Sequence, residues 1–491
     1  MTQSVIFCLL LCAVLLCFCM VAILLLLIAQ RKEKRAVETV HTGSYLLVYA
    51  SQSGMTKAYA EKTAQQLQKN GKSVVLLNIQ QLTEQHLLQA HKVLWMVSTY
   101  GEGDSPDTAQ VFQHSILTKK LDLSHQQFAV LAFGDRRYTN FCAFGHAIHH
   151  WLCEQNAQAW FDVVMVDQTS LTDLNYWNSQ LNKHIGLSLD IGGEDKNWQT
   201  VTLTARTLLN AGSIGTGLYQ ILLDIPETMT WKSGDILEIQ CCNSAQALTE
   251  FQQKYPQLTM NDLQQLKYKN LLTVPIFEKD QSITHWLALF IDLPLREYSI
   301  ASIPQQHQIE LVVRQEVSET GLGLGSGLLT QYLHIGEQLH VCVRSNPTFQ
   351  LINNACPLIL IGNGSGIAGL LSHIRQREQW GSKQNWLIFG ERQKQYDALY
   401  HPQLLAWKKA EVLPYQNLVY SRDHESLKYV QDVLIAEQDQ LKLWLSENAS
   451  IYVCGSLKGM AKDVDTALIN ILGQDYVNML KQEKRYQRDI Y

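Results

Sequence analysis

The chain has 491 residues, length for about three ordinary domains, and its 46% apolar against 17% charged residues is enough to bury real cores. The net charge is −5 and no long basic run sits in the body, which argues against nucleic acid as a partner.

Val5 to Ala29 reads VIFCLLLCAVLLCFCMVAILLLLIA, without a charge, and Arg31, Lys32, Lys34 and Arg35 follow at once. A membrane-spanning helix needs roughly 20 apolar residues. A cleaved signal would carry a basic start, a shorter apolar stretch and small residues at the cut. The run therefore predicts an uncleaved transmembrane anchor over 1–30, and the positive-inside bias predicts a single-pass membrane protein with its catalytic domains in the cytoplasm. Of the 11 cysteines, Cys8, Cys12, Cys17 and Cys19 fall in this run. The other seven form no C-x-x-C pair, so no metal site is expected.

From 43 to 187, short apolar strands alternate with amphipathic helices. YLLVYA (45–50), KSVVLLNI (72–79), KVLWMVS (92–98), FAVLAFG (128–134) and WFDVVMV (160–166) are continuous apolar runs, as in strands covered on both faces. They predict an open, doubly wound parallel sheet. GGEDKN falls in a linker placed at 188–197. Over 198–353, VTLTARTLL, GLYQILLDI, GDILEIQ and IELVVR alternate without helices between them, which predicts an antiparallel barrel with a helical insert at about 245–290. Over 354–491, PLILIG, NWLIFG, LVYSRD and SIYVCG alternate with helices again, a second parallel α/β domain.

Ligands of doubly wound sheets sit beyond the carboxyl ends of the strands. Three such loops are unusual: SQSGMT (51–56), STYGEGDSPD (98–107) and FGDRRYTNFC (133–142). The first offers hydroxyls and backbone N–H groups to a phosphate and lacks the lysine of a nucleoside-triphosphate loop. Taken alone, such a turn is more often a helix cap. Tyr100 and Tyr138 each stand where a flat ring could be sandwiched.

The three loops together resemble the flavin mononucleotide site of flavodoxin-like domains in diflavin reductases. That resemblance implies FMN contacts at Ser51, Gln52, Ser53, Gly54, Met55, Thr56, Ser98, Thr99, Tyr100, Gly101, Gly134, Asp135, Tyr138, Phe141 and Asp167. The second half resembles the ferredoxin reductase module of the same family. In REYSIAS (296–302), Arg296 would meet the FAD pyrophosphate, Tyr298 pack on the ring and Ser299 lie beside its reactive edge. GLGS (323–326) resembles the loop and helix start on the other side of that pyrophosphate, with Gly323, Gly325 and Ser326 as contacts; alone, it also reads as a flexible hairpin.

PLILIGNGSGIAG (357–369) resembles the nicotinamide dinucleotide fingerprint, with Gly364 and Ser365 as contacts. IYVCGSLKGMAKDV (451–464) resembles the closing strand whose cysteine, here Cys454, points at the nicotinamide, and brings Asp463. YSRD and KYVQ resemble the 2′-phosphate pocket of NADPH through Ser421, Arg422, Tyr429 and Gln431. Departures are present. Leu427 stands at the usual lysine, with Lys428 one place later; Asn363 replaces a proline; Gly369-Leu370-Leu371 replaces a proline-led turn; Ser456 replaces an acid. Tyr491 matches the family's terminal aromatic that stacks on FAD and swings away for nicotinamide, a tyrosine also in sulfite reductase flavoproteins; a terminal strand tucked into a core is the plainer reading. Asp489 matches the acid near hydride transfer, and Ser299, Cys454 and Asp489 form the implied catalytic set.

The function this implies is an NADPH-dependent diflavin oxidoreductase, passing electrons from NADPH to FAD to FMN and on to a one-electron acceptor. The acceptor would be a haemoprotein or a sulfite reductase-type partner. A ferric or ferric-chelate reductase is the runner-up, and a flavin-binding sensor or scaffold without turnover is the reading from another class. Only about 60 residues separate Gly234 from Arg296, so the connecting insert is much reduced. His146 and His150 in FGHAIHHW share a helical face, read as solvated rather than ligating.

Overall fold

The computed structural model describes residues 43–187 and 196–491, apart from 53, 137, 168–169, 279–280, 320, 353–354 and 424–425. By density of contacts they form two compact units. The first holds most of the residues up to 187, and the second holds 196–491 together with the loop stretches 51–56 and 100–108.

In the first unit the apolar runs become β1 (Tyr45–Ala50), β2 (Val74–Asn78), β3 (Lys92–Ser98), β4 (Gln127–Gly134) and β5 (Val164–Asp167). They pair in parallel in the order β2-β1-β3-β4-β5. Leu46, Leu47 and Val48 are successive residues of β1, and all are fully buried. A strand covered on both faces has no polar side to alternate with, which is why the sequence runs continuously apolar. Trp95, Phe112, Phe128 and Ile148 belong to the core on one face.

WFDVVMV does not form one strand. Gln158–Ala159 pairs with the start of β4 and β5 with its end. Between them Trp160 stacks on His184, and Phe161 meets Trp177 edge-on. Both partners lie on the helix α1 (Leu171–Ile185), which Ser170 caps at its N-terminus and Gly186 ends at φ +69°. Trp160 keeps one backbone bond to β4, its N–H to the Phe128 carbonyl at 2.8 Å, and pairing then lapses until Val164. On the helix Ala143–Glu154, His146 and His150 are exposed, and His150 pairs with Glu154 at 3.5 Å.

In the second unit, β6 (Gln199–Leu208), β7 (Leu218–Asp224), β8 (Ile236–Ile239), β9 (Arg296–Ser299), β10 (Gln308–Arg314) and β11 (Gln338–Arg344) make an antiparallel sheet in the order β9-β8-β11-β6-β7-β10. A bridge from Ile300 to Leu311 links its two edge strands. The central strand β11, QLHVCVR, has no counterpart among the strands read from sequence. The insert forms the helices Ala245–Lys254, Met260–Leu266 and Ile283–Ala288 around its own small core of Phe251, Leu263, Trp286 and Phe290.

A second parallel sheet follows, from β12 (Leu358–Asn363), β13 (Asn385–Glu391), β14 (Tyr415–Tyr420), β15 (Ser450–Gly455) and β16 (Tyr486–Ile490), in the order β14-β13-β12-β15-β16. Strand β16 carries the chain to Tyr491.

The anchor expected over 5–29 lies outside the described residues. Among the described residues no helix is long and apolar enough to cross a membrane. Helices of 15 residues, such as α1, reach roughly 22 Å at about 1.5 Å per residue, short of a hydrocarbon core of about 30 Å. The expected single-pass membrane location therefore has no spanning helix behind it among the described residues.

Candidate functional site

The loop after β1 is built on hydroxyls. Ser51 is buried and its Oγ accepts from the backbone N–H of Gly54 at 2.9 Å, a turn that Gly54 makes possible at φ +89°. Met55 then opens the helix Met55–Lys69, in which Thr56 is buried. Gln52 reaches the loop after β3 in both directions. Its Nε2 donates to Asp107 at 3.1 Å and its Oε1 accepts from the Asp107 N–H at 2.9 Å. Tyr100 begins a tight turn closed on Asp104, with Gly101 at φ +52°. Its hydroxyl donates to the Ile490 carbonyl, and Asp107 is ion-paired with Arg488. Burial pushes the Asp107 carboxyl up, but the Arg488 and Lys481 charges bring it below its ordinary value. Ser53 lies outside the described residues.

In the first unit, Ser98 donates to the Ala50 carbonyl at 3.2 Å, and Thr99 Oγ1 accepts from the Phe144 N–H at 3.1 Å. The loop after β4 starts at Gly134, where a Cβ would come within 2.9 Å of the Cys142 backbone nitrogen. The Asp135 carbonyl accepts from the Tyr138 N–H at 3.1 Å, and Tyr138 is half-buried. Asp167 accepts from the Arg136 backbone at 3.1 Å, and the Arg136 guanidinium lies over the Phe141 ring at 4.6 Å. Sequence reasoning missed Arg136 and Asp107, although both stand inside the quoted loops.

The second unit joins segments far apart in sequence. A Cβ on Gly325 would fall 2.5 Å from Arg296 and 2.7 Å from the Tyr298 hydroxyl. Only glycine lets the two expected halves of a pyrophosphate cradle approach so closely. Ser326 Oγ accepts from the Glu316 N–H at 3.1 Å and fixes the turn at Gly323. The small hairpin Val317–Leu322 precedes this glycine stretch, and the helical residues Leu324–Gly327 lie within it.

Ser299, Cys454 and Asp489 come together. Parallel pairing of β15 with β16 sets Cys454 opposite Asp489. The Ser299 hydroxyl donates to Asp489 Oδ2 at 2.7 Å, and Cys454 Sγ lies 3.8 Å from the same oxygen. Burial raises the Asp489 carboxyl above its ordinary value, opposed by the Ser299 hydrogen bond and by Arg344. Burial also raises the Cys454 thiol, and Asp489 beside it raises it further. A thiol held neutral in this way is a weak hydrogen-bond donor and no nucleophile. The Tyr491 hydroxyl meets Ser365 Oγ at 3.1 Å, its ring half-exposed. The terminal strand of the plainer reading is thus present, and it leaves the Tyr491 ring half-exposed at its end.

A cleft of about 500 Å³ opens beside Tyr491. Gly364, Ser365, Ser421, Tyr429, Gln431 and Asp463 line it, as does Lys428 despite its one-place shift. Gln431 Nε2 donates to Asp463 at 3.3 Å. Arg422 is not among the lining residues. After β14 its N–H bonds the Arg392 carbonyl at 2.8 Å, and its side chain, like that of Lys428, is exposed. Asn363, at the proline position, accepts from the Ser456 N–H at 3.0 Å and ties the two departures to each other.

Residues 47–176 match the flavodoxin family model, and residues 360–466 match the oxidoreductase NAD-binding domain model. The chain is 26% identical to the sulfite reductase [NADPH] flavoprotein alpha-component of Vibrio vulnificus, over 93% of this chain and 89% of that protein. It is 25% identical to the protein of the same name from Bacillus subtilis, over 91% and 89%. The parallel sheets of the two matched regions agree with these matches, and the chain belongs to the diflavin reductase family, oxidoreductases that work with FMN, FAD and a nicotinamide dinucleotide.

Proposed function

We propose that this protein draws electrons from NADPH through FAD and FMN and delivers them singly to a haemoprotein of the sulfite reductase type. The division of labour follows the sequence: 43–187 for FMN, 198–353 for FAD and 354–491 for NADPH. When bound, FAD accepts a hydride and FMN hands electrons on one at a time. The observation that carries the reading is the Asp489 carboxylate, with Ser299 at 2.7 Å and Cys454 at 3.8 Å, one residue-pair from the aromatic Tyr491.

In this arrangement Ser299 and Cys454 are the neutral donors at the place where the nicotinamide would lie, and Asp489 orients both. Arg296, Tyr298 and the Gly323–Ser326 turn hold the FAD side. Ser51, Gln52, Gly54 and Thr56 hold the FMN phosphate, with Tyr100 and Tyr138 available to its ring. Ser421, Arg422, Tyr429 and Gln431, with Lys428 next to Tyr429, supply the cation and donors that select the extra phosphate of NADPH over NADH. The acceptor is assigned from the names of the relatives, which are flavoprotein components of sulfite reductases.

The test is flavin extraction followed by NADPH reduction, with cytochrome c as artificial acceptor. Equal FMN and FAD per chain, with NADPH-driven reduction far above NADH, is the expected result. FAD alone, or flavin that NADPH does not bleach, would refute the relay.

A further inference from the structure

The lining of the cleft includes an ion pair to which no role has been given. Arg314 ends β10 and Glu391 ends β13, and Arg314 Nη2 meets Glu391 Oε1 at 3.2 Å. The Glu391 side chain is 5% exposed and that of Arg314 20%. Both line the cleft. The guanidinium also stands 3.4 Å from where a Cβ of Gly364 would sit. Gly364 starts the turn Gly364–Gly366, which leads into the helix Ile367–Gln379. Such a turn and helix N-terminus is where a dinucleotide pyrophosphate is held in this kind of sheet.

Three charged groups face Glu391. Arg314 and Arg392 favour its ionised form, and Asp397 opposes it. The Asp397 carboxylate is held by Asn210 at 3.3 Å, Ser213 at 3.1 Å and the Gln393 N–H at 3.0 Å, so it stays in place as a fixed neighbour. Arg314 Nη1 donates to the Thr216 carbonyl at 3.2 Å, which anchors the guanidinium while its other edge faces the cleft residues. Lys428 and Asp463 lie in the same cleft.

We propose that Glu391 takes up one proton from solvent when the pyrophosphate of the nicotinamide dinucleotide claims the Arg314 guanidinium. This rests on reading the cleft as the NADPH site. The physical reason is desolvation. A carboxylate buried to this degree stays ionised only with a cation committed to it. Even with Arg314 paired, burial has already raised Glu391 to about 7. Sharing Arg314 with a phosphate removes the main force holding the carboxyl ionised, so it protonates. Above pH 7, binding and proton uptake are linked, and affinity falls as pH rises.

The experiment is calorimetric titration of the full-length flavoprotein with NADP⁺ in buffers of different ionisation enthalpy, at pH 7 and 8.5. For the wild type, uptake of about one proton at pH 8.5, and a dissociation constant roughly 10-fold weaker than at pH 7, are expected from the linkage. Glu391→Gln should lose the uptake and hold its affinity within about 2-fold across that range. Arg314→Gln should also lose the uptake, because its Glu391 is already protonated, and should bind NADP⁺ more weakly at both pH values. It serves as the second test if Glu391→Gln does not fold. An equal proton count in wild type and variants would overturn the proposal while leaving the NADPH site intact. No NADP⁺ binding by the wild type at either pH would overturn the reading of the cleft, and this proposal with it.

Discussion

Ser299 shows what a single side chain contributes here. Its hydroxyl is 2.7 Å from a partly buried Asp489 carboxylate, which burial has pushed toward the protonated form. A hydrogen bond to a charged group contributes about 1.5–3 kcal/mol. Ser299→Ala is therefore expected to slow flavin reduction by NADPH roughly 10- to 100-fold while NADP⁺ affinity stays within about 3-fold. Anaerobic stopped-flow bleaching of the flavin, set beside NADP⁺ titration, separates the two effects. Equal losses in both would place Ser299 in binding alone. The residues of this cluster were legible in the sequence because each sits in a short motif with a fixed place on a strand. Arg314 and Glu391 were not, since a strand-ending arginine or glutamate carries no motif until β10 and β13 bring them to one cleft.

At the scale of elements, the helix Ile367–Gln379 is pinned at His373. Its Nδ1 is hydrogen-bonded to Ser233, and its ring packs between Phe349 and Tyr452. Burial lowers His373 from its ordinary 6.5 to about 3, so the fold holds it neutral. The unfolded chain binds a proton there at a pH where the folded chain does not. The stability this contributes is complete above 6.5 and is lost as pH falls toward 3. At pH 4.5 the loss is roughly 2–3 kcal/mol. His373→Gln, which can still bond Ser233, should show a smaller drop in Tm than the wild type between pH 6.5 and 4.5, by differential scanning fluorimetry. Parallel curves would mean that His373 is not a major acid-labile group. The strands of the two parallel sheets were legible because burial on both faces writes itself as unbroken apolar runs. Strand β11 was not. Its side chains alternate weakly, and it belongs to the sheet only because β6 and β8 flank it.

For the molecule as a whole, 40 basic and 45 acidic residues leave a net charge of only −5. A field that weak steers a basic acceptor poorly. NADPH-driven reduction of cytochrome c is therefore expected to fall by less than about 10-fold between 50 and 300 mM NaCl. A steeper fall would reveal a concentrated acidic docking face.

The sequence by itself determined the alternation of strands and helices, the loops at the carboxyl ends of the strands and the family they indicate, because these are local patterns in which a few residue types at fixed spacing carry the chemistry. Tertiary structure alone decided which distant groups share a site. Ser299 and Asp489 lie 190 positions apart and Arg314 and Glu391 lie 77 apart, and each pair meets across strands whose neighbours are set by sheet order. It also decided that Lys428 lines the cleft beside Tyr429. Pairing and burial are properties of the packed sheet, and no single segment of the chain contains them.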